Sequence, residues 1–155
     1  MATTKCYLKT IQLLSILLSV CLFSCRDNEF EGPPSDFKDV QLCYRDSIWD
    51  NRKIRNALLG TWHWEYVSCV SSPGRATVDS NITIEFQADS FLLLKKLNET
   101  IQTSRWEIVD VDEDMFSIAA EPSNHYLYGK VLICDDKAIF DAHDVDVCAN
   151  YFRKQ

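Results

Sequence analysis

The stretch Leu58-Leu59-Gly60-Thr61-Trp62-His63-Trp64-Glu65-Tyr66-Val67-Ser68-Cys69 constrains this chain most. A helix-like run ends at Gly60, and an alternating aromatic run begins at once, with Trp62, Trp64 and Tyr66 on one face and His63, Glu65 and Val67 on the other. Period-two alternation with aromatics on one side is a strand signal, and so bulky a face needs other strands to cover it. The rest of the chain supplies them. Strands are predicted at Thr61–Cys69, Asn81–Gln87, Ser90–Lys96, Gln102–Val109, Met115–Ala120, His125–Cys134, Lys137–Ala142 and Asp146–Lys154. Val70–Ser80 reads as a loop with Pro73-Gly74 at its tip, Asp110–Asp114 as an acidic loop and Asp135-Asp136 as a tight turn. Short strands at this spacing make an all-β fold. Mostly short connections favour an eight-stranded antiparallel up-and-down barrel, which leaves no strand edge exposed; a β-sandwich is the alternative.

Upstream, Ser47–Leu59 reads as a short helix before the strands, with Asp46 or Ser47 as its cap, Ile54 and Leu58 four apart, and Gly60 as its end. Val40–Tyr44 is ambiguous. Arg26–Asp36 is polar and acidic with Gly32-Pro33-Pro34, the composition of a flexible tether. Before it stand Lys5 and Lys9, the apolar run Ile11–Leu22 and then small residues. That run is too short to span a bilayer comfortably and has the form of an export signal.

Leu22-Phe23-Ser24-Cys25 resembles a bacterial lipobox, in which the signal is cut before a cysteine that carries lipid on its thiol, palmitate being the expected acyl class. The acidic stretch after Cys25 is similar to the surface-export signal of Bacteroides-type lipoproteins. The organisation implied is a lipoprotein signal peptide over 1–24, a tether over 25–38 and a barrel domain with its N-terminal helix over 39–155. Cleavage would remove 24 of 155 residues, two of the 16 basic ones and none of the 23 acidic ones, leaving 131 residues of net charge −9. So acidic a chain is unsuited to nucleic acid and to adhesion on anionic lipid through basic patches. The expected address is the cell envelope, anchored by lipid to the outer membrane and either periplasmic or surface-exposed.

Gly60-Thr61-Trp62 at the head of the first strand resembles the Gly-x-Trp signature of lipocalins, and signal, tether and minimal barrel in that order resemble the small bacterial lipocalin-like lipoproteins. The resemblance covers Leu58–Lys154. It implies closure of the barrel by Gly60, Trp62 and Arg153, with the arginine stacked across the tryptophan. The chain departs from lipocalins proper in lacking a long helix after the last strand. With Trp62 opposite about residue 153, Cys69 falls opposite about residue 146, within two positions of Cys148, and Cys43 is left with Cys134. On the residues alone, Cys43, Cys69, Cys134 and Cys148 suit two disulfides in any of three connectivities, with free thiols or a zinc site as alternatives.

A small barrel holds either its own side chains or one small ligand. The candidate interior is Trp62, Trp64, Tyr66, Ile82, Ile84, Phe86, Trp106, Ile108, Tyr126 and Tyr128, a lining suited to an apolar or planar molecule oriented by tyrosine hydroxyls. The same residues can equally fill the space. No catalytic motif occurs, and neither the histidines His63, His125 and His143 nor the acidic loops have metal-site spacing. The expectation is a non-enzymatic protein without cofactor or metal that binds a small hydrophobic ligand. The alternative is a scaffold that binds an envelope protein through its loops.

Overall fold

The computed structural model describes residues 35–69, 72–77, 81–145 and 148–155. Two helices precede the strands. Helix α1, Ser35–Arg45, buries Val40 and Tyr44, four apart. Helix α2, Asn51–Leu58, is capped by Asp50, whose carboxylate accepts from the Lys53 amide at 2.6 Å. The cap therefore lies beyond both predicted positions, and α1 begins inside the stretch read as tether. Ile54 and Leu58, one helical turn apart, are fully buried.

Nine strands follow: β1 Gly60–Cys69, β2 Ser72–Thr77, β3 Ile82–Phe86, β4 Phe91–Lys96, β5 Glu99–Asp112, β6 Met115–Glu121, β7 Lys130–Cys134, β8 Lys137–Asp141 and β9 Cys148–Lys154. Consecutive strands from β3 to β9 pair antiparallel, and β9 pairs back onto β1, which closes the barrel. The other edge of β1 is shared: its first half pairs with β3 and its second half with β2. β2 and β3 thus act as one interrupted strand, and the barrel is eight-stranded and antiparallel. The predicted Val70–Ser80 loop contains β2. Its polar, Pro-Gly-bearing sequence hides a strand that pairs only locally with the end of β1. The predicted strand His125–Cys134 begins instead with a 3-10 turn, His125–Leu127, and only Lys130–Cys134 is strand.

Alternation sorts the side chains into two clusters. Trp62, Ile84, Phe86, Leu92, Trp106, Phe116, Phe140 and Phe152 pack inside the barrel, together with Ile54 and Leu58 from α2, which plugs the end where β1 begins. Val40, Tyr66, Ile139, Ala149 and Tyr151 form a second cluster on the outside, beneath α1. Ile139 against Phe140 and Tyr151 against Phe152 mark the two faces of β8 and β9. Both disulfides form, Cys43–Cys134 tying α1 to the end of β7 and Cys69–Cys148 joining β1 to β9.

Candidate functional site

The closed end accounts for the Gly-x-Trp signature. Gly60 has φ +113°, and a Cβ there would stand 3.3 Å from Lys154 Cε. Trp62 is almost wholly buried, and its indole N–H donates to the Leu58 carbonyl at 2.6 Å. The cation against Trp62 is Lys154, not Arg153. Lys154 is the direct cross-strand partner of Trp62; its ammonium lies 5.2 Å from the ring centroid and donates to the Ala57 carbonyl at 2.8 Å. Arg153, one residue earlier, faces outward and binds Glu65 at 2.6 Å and Asp136 at 3.0 Å.

Tyr66 is also outside. The register between β1 and β9 shifts by one between Trp64 and Tyr66, so that Trp64 opposes Phe152 and Tyr66 opposes Tyr151. The extra residue, Glu65, reverses the face of everything after it. Tyr66 therefore stacks on Tyr151, with ring centroids 4.0 Å apart, under α1. Tyr128 is a third correction. It follows the 3-10 turn rather than lying on a strand, and it is 52% exposed. Ile82, Ile84, Phe86 and Trp106 are inside but buried, with Phe86 edge-on to Trp106 and Ile108 packed partly buried against them. Among the described residues they pack as part of the interior core. Cys25 lies outside the described residues.

What remains reachable is at the other end, where β4 turns into β5 and the 122–129 connection crosses from β6 to β7. Trp64 and Tyr126 are partly exposed and meet edge to face at 4.8 Å. The Trp64 indole donates to Asn150 Oδ1 at 3.1 Å. Burial holds the Tyr126 hydroxyl above the usual tyrosine pKa. Between β6 and β7 the described ladder has a single pair, Ser117 with Lys130, and the connection folds across the gap so that Leu127 enters the core. Ser104 and Gln102, on the inward side of β5, donate to the Pro122 carbonyl at 2.8 and 3.2 Å, and Gln102 also to the Ser123 carbonyl at 3.1 Å. Gly129, at φ +93°, lets the connection pass over β8, where a Cβ would collide with the Asp141 carbonyl.

Asn124 is the unusual member of this group. It is 3% exposed, and its Oδ1 accepts from the Tyr126 amide at 3.0 Å, but its Nδ2 has no acceptor among the described residues. Buried amide donors are nearly always paired, so this one, next to the partly exposed aromatic pair, is an exception. Sequence reading singled out Trp64 and Tyr126 but missed Gln102, Ser104, Asn124 and Asn150. Gln102 and Ser104 share the period-two face of Trp106 and were within its reach; Asn124 becomes interior only through the fold of the connection.

His143 is engaged at both ring nitrogens, by Asp141 at 3.0 Å and by the Ser68 carbonyl at 3.1 Å. An outer cleft of about 450 Å³ at the closed end is lined by Trp49, Asp110, Asp112, Glu113 and Asp114. A second, of about 540 Å³, is lined by Arg55, Ser90, Arg105 and Trp106, with Arg55 stacked 4.3 Å over the Trp106 ring.

No family model matches the chain, and no curated protein matches it. The class the fold defines is a closed, disulfide-braced, eight-stranded antiparallel barrel plugged at one end by a helix.

Proposed function

We propose that this is a non-enzymatic, lipocalin-like lipoprotein, anchored through Cys25 to the outer membrane, which binds one small apolar ligand at the open end of its barrel. The observation that carries the binding reading is the partly exposed Trp64–Tyr126 pair beside the unpaired amide of Asn124. An aromatic wall with one hydrogen-bond donor suits an apolar molecule that ends in an oxygen acceptor. The deeper interior is occupied by its own side chains, so the ligand is held at the mouth. No cofactor or metal takes part in this reading.

The test is tryptophan emission of the full chain titrated with fatty acids, haems and planar aromatics. At least one class should quench; Trp62 and Trp106 are buried, so Trp64→Phe should remove the response and Trp49→Phe, in the outer cleft at the closed end, should leave it. The packed interior favours a second reading, in which the barrel is a rigid scaffold whose loops bind an envelope protein. A silent panel would select it.

A further inference from the structure

Beside α2, the outer wall of the barrel carries charges that are sorted rather than paired. β4 begins at Phe91, opposite Arg105, and the Trp106 amide donates to the Ser90 carbonyl in the β3–β4 turn at 2.9 Å. β5 runs on past this point to Asp112 with α2 against it, and the cleft of about 540 Å³ opens at the corner. Alternation puts Phe91, Arg105 and Glu121 in one row across β4, β5 and β6, with Arg105 the direct cross-strand partner of both others. Opposite charges so placed favour pairing. Arg105 leans the other way. Its guanidinium lies 5.2 Å from the centre of the Phe91 ring and makes no ion pair among the described residues.

Arg55 reaches the same cleft from α2. It stacks over the buried Trp106 ring and donates to Ser90 Oγ at 3.2 Å, and it too has no carboxylate partner among the described residues. Both guanidiniums are therefore held flat against a ring with N–H groups to spare. Glu121 on β6 and Glu107 further along β5 line the cleft as well, are exposed, and have no ion pair among the described residues. The small side chains of Ala119 and Ala120 keep the β6 side of the cleft open.

We infer that this cleft binds a small zwitterion of the α-amino-acid class, its carboxylate held by Arg55 and Arg105 and its ammonium by Glu107 and Glu121. A stacked guanidinium keeps its fork of N–H groups in one plane, which matches a carboxylate, and it loses little freedom on binding. Two cations and two carboxylates balance, so the cleft does not offset the net charge of −7 that repels a polyanion from this chain. A molecule that carries both charges meets both halves of the cleft. The site shares no lining residue with the Trp64–Tyr126 mouth and does not depend on the lipid anchor.

The test titrates the full chain, labelled with nitrogen-15 at its tryptophan indoles, with leucine, phenylalanine and glutamine. Trp106 lines the cleft under the Arg55 guanidinium, so its indole N–H resonance should move with at least one of them, while those of Trp62 and Trp64 stay. The N-acetyl and amide derivatives, each lacking one charge, should bind about tenfold more weakly or worse. Arg105→Gln and Glu121→Gln replace exposed side chains and keep the fold, and each should weaken binding by about tenfold. A Trp106 resonance that none of the three moves at about 10 mM overturns the inference. Equal binding of the N-acetyl derivative, or unchanged binding in either variant, overturns it too. A shift confined to Trp64 moves the ligand to the mouth, which overturns the cleft and leaves the mouth reading standing.

Discussion

At the residue scale, two neighbours at the C-terminus exchange the roles that their charges suggest. Arg153 makes two ion pairs with exposed or half-buried carboxylates, a type of contact worth little in water. Lys154 makes one hydrogen bond to a helix carbonyl and lies over the buried Trp62. Lys154→Ala should therefore cost on the order of 1–2 kcal/mol in urea denaturation, and Arg153→Ala less than about 1 kcal/mol. The reverse ranking would restore the arginine to the closure. Tyr44 offers a pH test. Burial, and then the nearby Asp114 carboxylate, raise its pKa from 10.0 to about 12. The folded state therefore keeps a proton that the unfolded chain gives up at lower pH. Stability from this group is whole below pH 10 and is lost as pH rises towards 12. Melting temperature should fall across that window, and Tyr44→Phe should flatten the fall.

At the scale of elements, the β1–β9 pairing shows how one residue changes a whole register. Had Trp62 opposed residue 153, Cys69 would have faced residue 146. The true partner of Trp62 is Lys154, and the Glu65 bulge adds one more step, so that Cys69 faces Cys148 directly. The expected pairing was right although the register behind it was short by two, and the two missing steps are now located. This bond closes the barrel across a sequence separation of 79 residues. Removing it in a Cys69→Ser, Cys148→Ser double variant should lower stability by about 4 kcal/mol, measured by chemical denaturation, because the unfolded chain regains that loop's freedom. The strands themselves were legible where alternation is strong, as in β3, where Ile82, Ile84 and Phe86 share one face. β2 was not, because six residues that include Pro73 and Gly74 carry no apolar period and pair only with an adjacent strand.

At the scale of the whole molecule, the barrel and α1 are separate layers. The barrel core is internal to the strands and α2, whereas α1 is held by the outer cluster around Val40 and by Cys43–Cys134. A Cys43→Ser, Cys134→Ser variant should keep its β-sheet circular dichroism but become open to trypsin at Lys38 or Arg45. Protection equal to that of the native protein would show that packing alone holds the helix.

Taken by itself, the sequence determined the fold class, the helix that plugs one end, the strand with the aromatic face and the set of cysteines available for bonding. These follow from patterns that repeat within a few residues. Only the tertiary structure decided which aromatics face the interior. A bulge at Glu65 sent Tyr66 outside, and a 3-10 turn left Tyr128 in solvent and brought Tyr126 to Trp64. Strand periodicity cannot reveal a bulge or a folded-in connection, because each is stabilised by contacts with residues far away in the chain. The mouth of the barrel, where the proposed ligand binds, is built from those contacts.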